Sequence, residues 1–168
     1  MKKLYALFAT LLVSALVIAQ DTPATVVDIA AGSDAHTTLV AAVTEAGLVE
    51  TLSGEGPFTV FAPTDDAFAA ALESMEMTAE ELLASEDLSS ILTYHVVASN
   101  LMAADVIAAV EEAGGTAEVE TVNGAPISVE VVDGSVIING NATVTTADLA
   151  AGNGVVHVID GVITPPME

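Results

Sequence analysis

The chain has 168 residues, of which 24 are acidic and only two are lysine or arginine, so its formal net charge is −22. Its length fits a single domain. The lack of cysteine excludes disulfides, thiolate nucleophiles and cysteine-based zinc sites in this chain, and the negative charge excludes nucleic acid as a direct partner, because phosphates bind basic groups.

Residues 1–19 have the pattern of a secretory signal peptide. Two lysines precede an apolar run over Leu4–Ile18, and Ala19 places a small residue where signal peptidase cuts. The run is shorter than the roughly 20 residues that a membrane-spanning helix needs. We therefore predict cleavage before Gln20 and a single domain over 20–168 that has no membrane span and is secreted, periplasmic or at the cell surface. An uncleaved membrane anchor is the alternative.

A strand followed by a helix is predicted within Gly56–Phe68. Apolar residues over Phe58–Ala62 indicate a strand that is buried on at least one face and ends at a proline. Thr64 is a good cap for the next helix, and a first helical turn favours negative charge. Asp65 and Asp66 are therefore interpreted as helix-terminal residues and not as catalytic carboxylates.

The other helices are predicted from apolar spacing and capping patterns. They cover Thr25–Ala31, Thr37–Ala46, Thr78–Leu83, Ser85–Leu92 and Leu101–Ala113.

The last third of the chain changes to a period of two, which is typical of strands. Asn-Gly and Asp-Gly pairs at 123–124, 133–134 and 139–140 are strong hairpin signals, so we predict antiparallel strands from Val119 to Ile138. Thr146–Ala150 is predicted to form a short capped turn, and the apolar run Val155–Ile159 a central strand. The predicted fold class is therefore α+β.

The histidines are the first candidates for chemistry near neutral pH. His157 lies within an apolar strand and His95 at a helix-to-strand junction, so both are expected to be buried and hydrogen-bonded, whereas His36 is expected to be solvated. The three lack metal-ligand spacing, and the chain contains neither a Gly-x-Ser-x-Gly elbow nor an EF-hand loop. We predict no catalytic residue, no cofactor and no formed metal site, with diffuse binding of divalent cations to the acidic surface.

Five segments, in order, resemble the motifs of the fasciclin-type domain, an extracellular adhesion module. They are Thr38–Val49, Gly56–Phe68, Ile91–Val97, Gly140–Val144 and Asn153–Ile163. The resemblance implies a wedge of two β-sheets with several short helices packed around it. It also implies a non-enzymatic role in binding an extracellular protein or polysaccharide. The alternatives are a hydrolase that pairs a histidine with a carboxylate, and a purely structural acidic protein of the envelope or matrix.

The resemblance also implies which residues bind and which support the fold. The family's Tyr-His adhesion motif is matched by Tyr94 and His95, although core support is an equally strong interpretation of this pair. The remaining binding candidates are the aliphatic flanks Ile91, Leu92, Val96 and Val97, together with Asp148 and Leu149, which match an Asp-Ile motif without its preceding Glu-Pro or following Met. The predicted structural residues are Phe58, Phe61, Phe68, Asn153, Gly154 and His157.

The uncompensated charge has its own consequence for stability. Like charges repel more strongly in the compact state, so we expect salt to stabilise the fold by screening. Acidification is expected to act in the same direction at first, because crowded carboxylates take up protons readily.

Overall fold

This computed structural model describes residues 24–165, which contain seven helices and seven strands. The helices are α1 Val26–Ala31, α2 Thr37–Glu45, α3 Val49–Leu52, α4 Asp65–Met75, α5 Ala79–Leu83, α6 Asp87–Tyr94 and α7 Ala103–Glu112. The strands are β1 Phe58–Pro63, β2 Val96–Val97, β3 Thr116–Glu120, β4 Pro126–Val132, β5 Ser135–Ile138, β6 Ala142–Ala151 and β7 Gly154–Ile159. The predicted signal peptide lies outside the described residues.

The strands form one hydrogen-bonded series in the order β2-β1-β7-β6-β5-β4-β3. β1 and β7 are parallel, and the other neighbouring strands are antiparallel. β6 pairs with β5 near its start and with β7 along its length, so it joins two sheets. The Val122 amide, just after β3, donates to the Val96 carbonyl of β2 at 2.8 Å, which brings the two ends of the series together. The predicted α+β wedge with short helices is confirmed.

β1 separates two hydrophobic cores. Val60 and Ala62 belong to a core built largely from the helices, where Phe68 of α4 is also buried and Phe58 packs at the edge. Phe61 points to the opposite face and lies in the core enclosed by the sheets. Complete burial of one such side chain contributes about 1.5–3 kcal/mol, so β1 stabilises both halves of the domain.

The predicted caps and turns account for much of the local structure. The Thr64 hydroxyl accepts from the Ala67 amide at 3.2 Å, and the Thr78 hydroxyl accepts from the Glu81 amide at 3.1 Å. The β4–β5 turn has positive φ at both central residues, 52° at Asp133 and 83° at Gly134, as a type I′ turn requires.

Asp65 has a second role that its position in the chain did not reveal. Its carboxylate accepts from the Thr38 amide at 2.8 Å and from the Thr37 hydroxyl at 2.7 Å, so it caps α2 from the start of α4. Burial raises the pKa of the Asp65 carboxyl, but the hydrogen bonds from Thr38 and Thr37 together lower it below its usual value. α2 and α4 are thereby fixed to each other.

The prediction of a capped turn at Thr146–Ala150 was wrong, because this segment lies inside β6. The register of β6 against β7 shifts between Val144 and Leu149, and Asp148 has a φ of 59°. Such bulges bend a strand and raise its twist. The segment that was predicted to be a capped turn is thus a bend in a long strand.

Candidate functional site

Tyr94 ends α6 and is buried, with 2% of its surface exposed. Its hydroxyl donates to the Pro126 carbonyl at 3.1 Å and accepts from Nδ2 of Asn139 at 3.0 Å. The Oδ1 of Asn139 in turn accepts from the Ser128 amide at 2.9 Å. Tyr94 therefore joins the end of a helix to the start of β4 and to the β5–β6 turn.

His95 follows directly and is also buried. Its Nε2 accepts from the Ile163 amide at 3.1 Å, so the ring proton lies on Nδ1, which donates to the Ile91 carbonyl at 2.8 Å. Burial lowers the pKa of His95 to about 4, although the hydrogen bond with Ile91 acts in the opposite direction. The ring is therefore uncharged at neutral pH and connects α6 to the C-terminal segment.

The aliphatic flanks of this pair are buried too. Ile91, Leu92 and Val96 lie in the helical core, and Val97 lies in the core between the sheets. Leu92, Val96 and Val97 could contact a partner directly only by leaving the core, whereas Ile91 also lines a surface groove that is described below. Core support accounts for every contact observed at Tyr94 and His95, and a partner-binding role for the six buried residues stays a prediction.

His157 lies in β7 and uses both ring nitrogens internally. Its Nδ1 accepts from the Asp148 amide at 3.2 Å, so its Nε2 donates to the Leu101 carbonyl at 2.7 Å. The ring also stacks on Phe61, with 5.7 Å between the centroids. His157 thus holds β7, the bend of β6 and the approach to α7 together.

His36 was expected to be solvated, and that prediction was wrong because only 4% of the residue is exposed. Its Nδ1 is 2.8 Å from the Ser33 hydroxyl, and its Nε2 has no hydrogen-bond partner among residues 24–165. The loop is held by the Asp65 amide, which donates to the Ala35 carbonyl at 2.8 Å. This long-range contact gives no local sequence signal.

The positions of the histidine and acidic side chains decide whether a catalytic pair or a metal site can form. Within the described residues, no histidine ring is hydrogen-bonded to a carboxylate, so the pair needed by the hydrolase alternative is not assembled there. The same part of the chain holds no group of three or more histidine or acidic side chains placed to bind a metal ion.

Asp148 and Leu149 are the two predicted binding residues that reach the surface. Asp148 is exposed at the bend of β6, and its Oδ1 accepts from the Ala103 amide at 2.8 Å, so it caps α7. Leu149 is half-buried and packs against the helical core. The carboxylate is therefore held in a fixed position at an exposed bend.

Asn153 and Gly154, which the resemblance implies are structural residues, form a junction between distant segments of the chain. The Asn153 side chain accepts from the Val26 amide at 3.0 Å and donates to the Leu52 carbonyl at 2.6 Å and the Gly54 carbonyl at 2.9 Å. A Cβ atom on Gly154 would collide with the Phe58 carbonyl. This junction joins α1, the end of α3 and the parallel strands.

Two of the depressions on the described surface are large enough to consider as binding sites. An open one of about 820 Å³ lies beside the Asn153 junction and is lined largely by backbone and small side chains. The other, which we call the helical groove, has a volume of about 470 Å³ and lies between α4, α5, α6 and the C-terminal segment. Its apolar lining consists of Met75, Met77, Leu82, Ile91 and Pro165. Sequence reasoning missed the groove, because it forms where α4, α5, α6 and the C-terminal segment pack together and leaves no local pattern in the sequence.

No helix within residues 24–165 is long and apolar enough to cross a membrane. The family model described as Fasciclin domain matches residues 34–165. Protein sll1483 of Synechocystis sp. is 50% identical over 152 residues, which cover 89% of this chain and 78% of that protein.

More distant relatives include an animal protein and an insect protein of known structure. Transforming growth factor-beta-induced protein ig-h3 of Sus scrofa is 38% identical over 143 residues, which cover 84% of this chain and 19% of that protein. The FAS1 domain pair from the insect cell adhesion molecule Fasciclin I has a similar fold, with a TM-score of 0.71 at 22% identity over 86% of this chain and 51% of that chain. The chain belongs to the Fasciclin domain family, which is known for cell adhesion and extracellular interactions.

Proposed function

We propose that this chain is a secreted or cell-surface adhesion module that binds an extracellular protein or polysaccharide and carries out no catalysis. The observation that carries this proposal is the internal use of both ring nitrogens of His95 and of His157. His95 and His157 donate and accept only within the core, so the residues best suited to acid–base chemistry hold the fold together. Membership of a family of adhesion modules supports the same function.

The exposed bend of β6 is the binding surface that we favour among the predicted residues. Asp148 presents a carboxylate there, and Leu149 supplies a partly accessible apolar neighbour. A charge held in a fixed position can orient a partner, and an apolar side chain beside it adds apolar area to the interface. The hydrogen bond from the Ala103 amide fixes the charge before binding, which lowers the entropy lost when a partner docks.

Secretion is part of the proposal and has its own test. Protein purified from the medium or periplasm should begin at Gln20 or within a few residues of it when its N-terminus is sequenced. Full-length protein retained in the membrane fraction would contradict cleavage and favour an uncleaved anchor.

The binding role is tested with the purified secreted protein, labelled and applied to intact producing cells and to their extracted matrix. We expect saturable binding that falls at least fivefold in Asp148→Asn, in which an oxygen still caps α7 but the charge is gone. Asp133→Asn is the matched control, because Asp133 is an exposed aspartate at positive φ in the β4–β5 turn. Absence of binding by the wild type, or cleavage of the bound material by it, would overturn the proposal.

A further inference from the structure

We propose that the helical groove binds a basic segment of a partner protein that inserts one apolar side chain between α4, α5 and α6. This inference rests on the proposed adhesion function and names a second surface for it. Asp148 and Leu149 do not line the groove, so the two surfaces can be tested separately.

The groove has the shape and chemistry of an anchor site. Leu82 and Ile91 are almost fully buried beneath it, whereas Met75 and Met77 remain half-buried at its sides. Its volume of about 470 Å³ lies within the range of about 300–1,000 Å³ that is usual for ligand pockets. Methionine side chains are flexible and polarizable, so they adapt to the shape of an inserted apolar group.

The charge around the groove indicates which partner enters it. The helices and turns that form it carry a run of exposed carboxylates, and Asp87 lines the groove itself. The exposed acidic residues of this segment are Glu73, Glu76, Glu80, Glu81, Glu86 and Asp87. Residues 24–165 contain no lysine or arginine that could neutralise them.

The electric field of these carboxylates favours positively charged partners over negatively charged ones. It attracts lysine and arginine side chains and raises the rate at which a basic partner associates. A second copy of this chain, or an acidic polysaccharide, brings like charge and is repelled. The hydrogen bond from the Thr78 amide to Glu81, 2.8 Å long, holds the pKa of that carboxyl below its usual value. The occupant is therefore a protein segment in which lysine or arginine flanks an apolar residue.

The test uses the purified secreted protein and a fluorescent synthetic peptide with one leucine flanked on each side by two lysines. Fluorescence anisotropy should show saturable binding that weakens as sodium chloride is raised, because salt screens the attraction. Two control peptides separate the contribution of the apolar side chain from that of the positive charges. One has serine in place of the leucine, and the other has glutamates in place of the lysines. We expect each control to bind at least tenfold more weakly.

Variants of the protein locate the site. Met77→Lys places a positive charge in the groove and should weaken binding of the lysine peptide at least tenfold. Ser90→Lys does the same at an exposed residue of the lining, so it tests the site even if Met77→Lys folds poorly. Val132→Lys is the matched control, since Val132 is 44% exposed on β4 and does not line the groove.

Three results with the peptides and in sedimentation would overturn the inference, and a fourth comes from binding to cells. The first is equal binding of all three peptides, and the second is wild-type affinity for the lysine peptide in both Met77→Lys and Ser90→Lys. The third is a wild-type dimer in sedimentation that Ser90→Lys dissociates, which would make a second copy the occupant. If the groove variants still bind producing cells while Asp148→Asn does not, the adhesion proposal stands and the groove inference fails.

Discussion

The pairing of β7 with β1 depends on the absence of a Cβ atom at residue 154. Gly154 begins β7 opposite Phe58 in the parallel neighbour β1, and the two backbones approach so closely that a Cβ atom at residue 154 would collide with the Phe58 carbonyl. Glycine is the residue that permits such an approach. The pairing holds β7 in the middle of the sheet, so its loss affects both cores.

Gly154→Ala is therefore expected to lower the free energy of unfolding by more than about 3 kcal/mol, in the range reserved for buried clashes and broken networks. Urea denaturation measures this loss. Gly32→Ala is the control, because Gly32 is exposed after α1 at a φ of −80° and should change stability by less than about 1 kcal/mol. Equal stability of Gly154→Ala and the wild type would contradict the close approach of β1 and β7.

His95 predicts a pH dependence of stability. Its pKa is about 4 in the folded protein and 6.5 in an unperturbed histidine, so the unfolded chain binds more protons between these values. The free energy of unfolding should therefore fall as the pH falls through this window, by about 3 kcal/mol if nothing else titrates. Denaturation curves recorded every half unit from pH 7 to pH 4 measure the slope.

His95→Gln provides the control for that slope, because glutamine carries no charge at any pH. The variant should be less stable than the wild type at pH 7, since a buried hydrogen bond is lost or distorted, but its stability should fall less on acidification. Relief of carboxylate repulsion on acidification is offset in the wild type by protonation of this histidine and should be visible in the variant. An identical slope in both proteins would remove His95 as the cause.

At the scale of elements, some helix ends are capped from distant parts of the chain. The first amide of α7, that of Ala103, donates to Asp148, which lies 45 residues away in β6. Asp148→Ala should lower the free energy of unfolding by about 0.5–2 kcal/mol, as is usual for the loss of a cap. Asp148→Asn should lose less, because its amide oxygen can accept the same bond. Chemical denaturation compares them, and wild-type stability in Asp148→Ala would contradict the cap.

The sequence was sufficient to predict the helix caps and turns that depend only on neighbouring residues. Thr64 and Thr78 cap the helices that they precede, and the Asp133–Gly134 turn follows from residues that tolerate positive φ. The bend of β6 and the burial of His36 depend on contacts between distant segments, which leave no periodic pattern. The resemblance placed Tyr94 and His95 in a binding motif, but it could not indicate that their polar atoms face Asn139 and Ile163 inside the fold.

At the scale of the whole molecule, charge repulsion opposes folding. The described residues contain no lysine or arginine, and hydrogen bonds from Thr25 and Thr78 hold the pKa values of the Asp28 and Glu81 carboxyls below their usual values. Raising sodium chloride from 0.01 to 0.15 M shortens the Debye length from about 30 to about 8 Å. The melting temperature at pH 7 should rise over this range, and an unchanged value would contradict the repulsion argument.

We propose that Tyr94 and His95 support the core while the exposed surface carries adhesion. Tyr94→Phe tests it most directly, because the variant keeps the buried ring and removes the hydroxyl that bonds Pro126 and Asn139. We expect its free energy of unfolding to fall by about 1–3 kcal/mol, since two buried groups lose their partner. Its binding to producing cells, measured where it is fully folded, should equal that of the wild type. A Tyr94→Phe protein with wild-type stability and no cell binding would contradict the account.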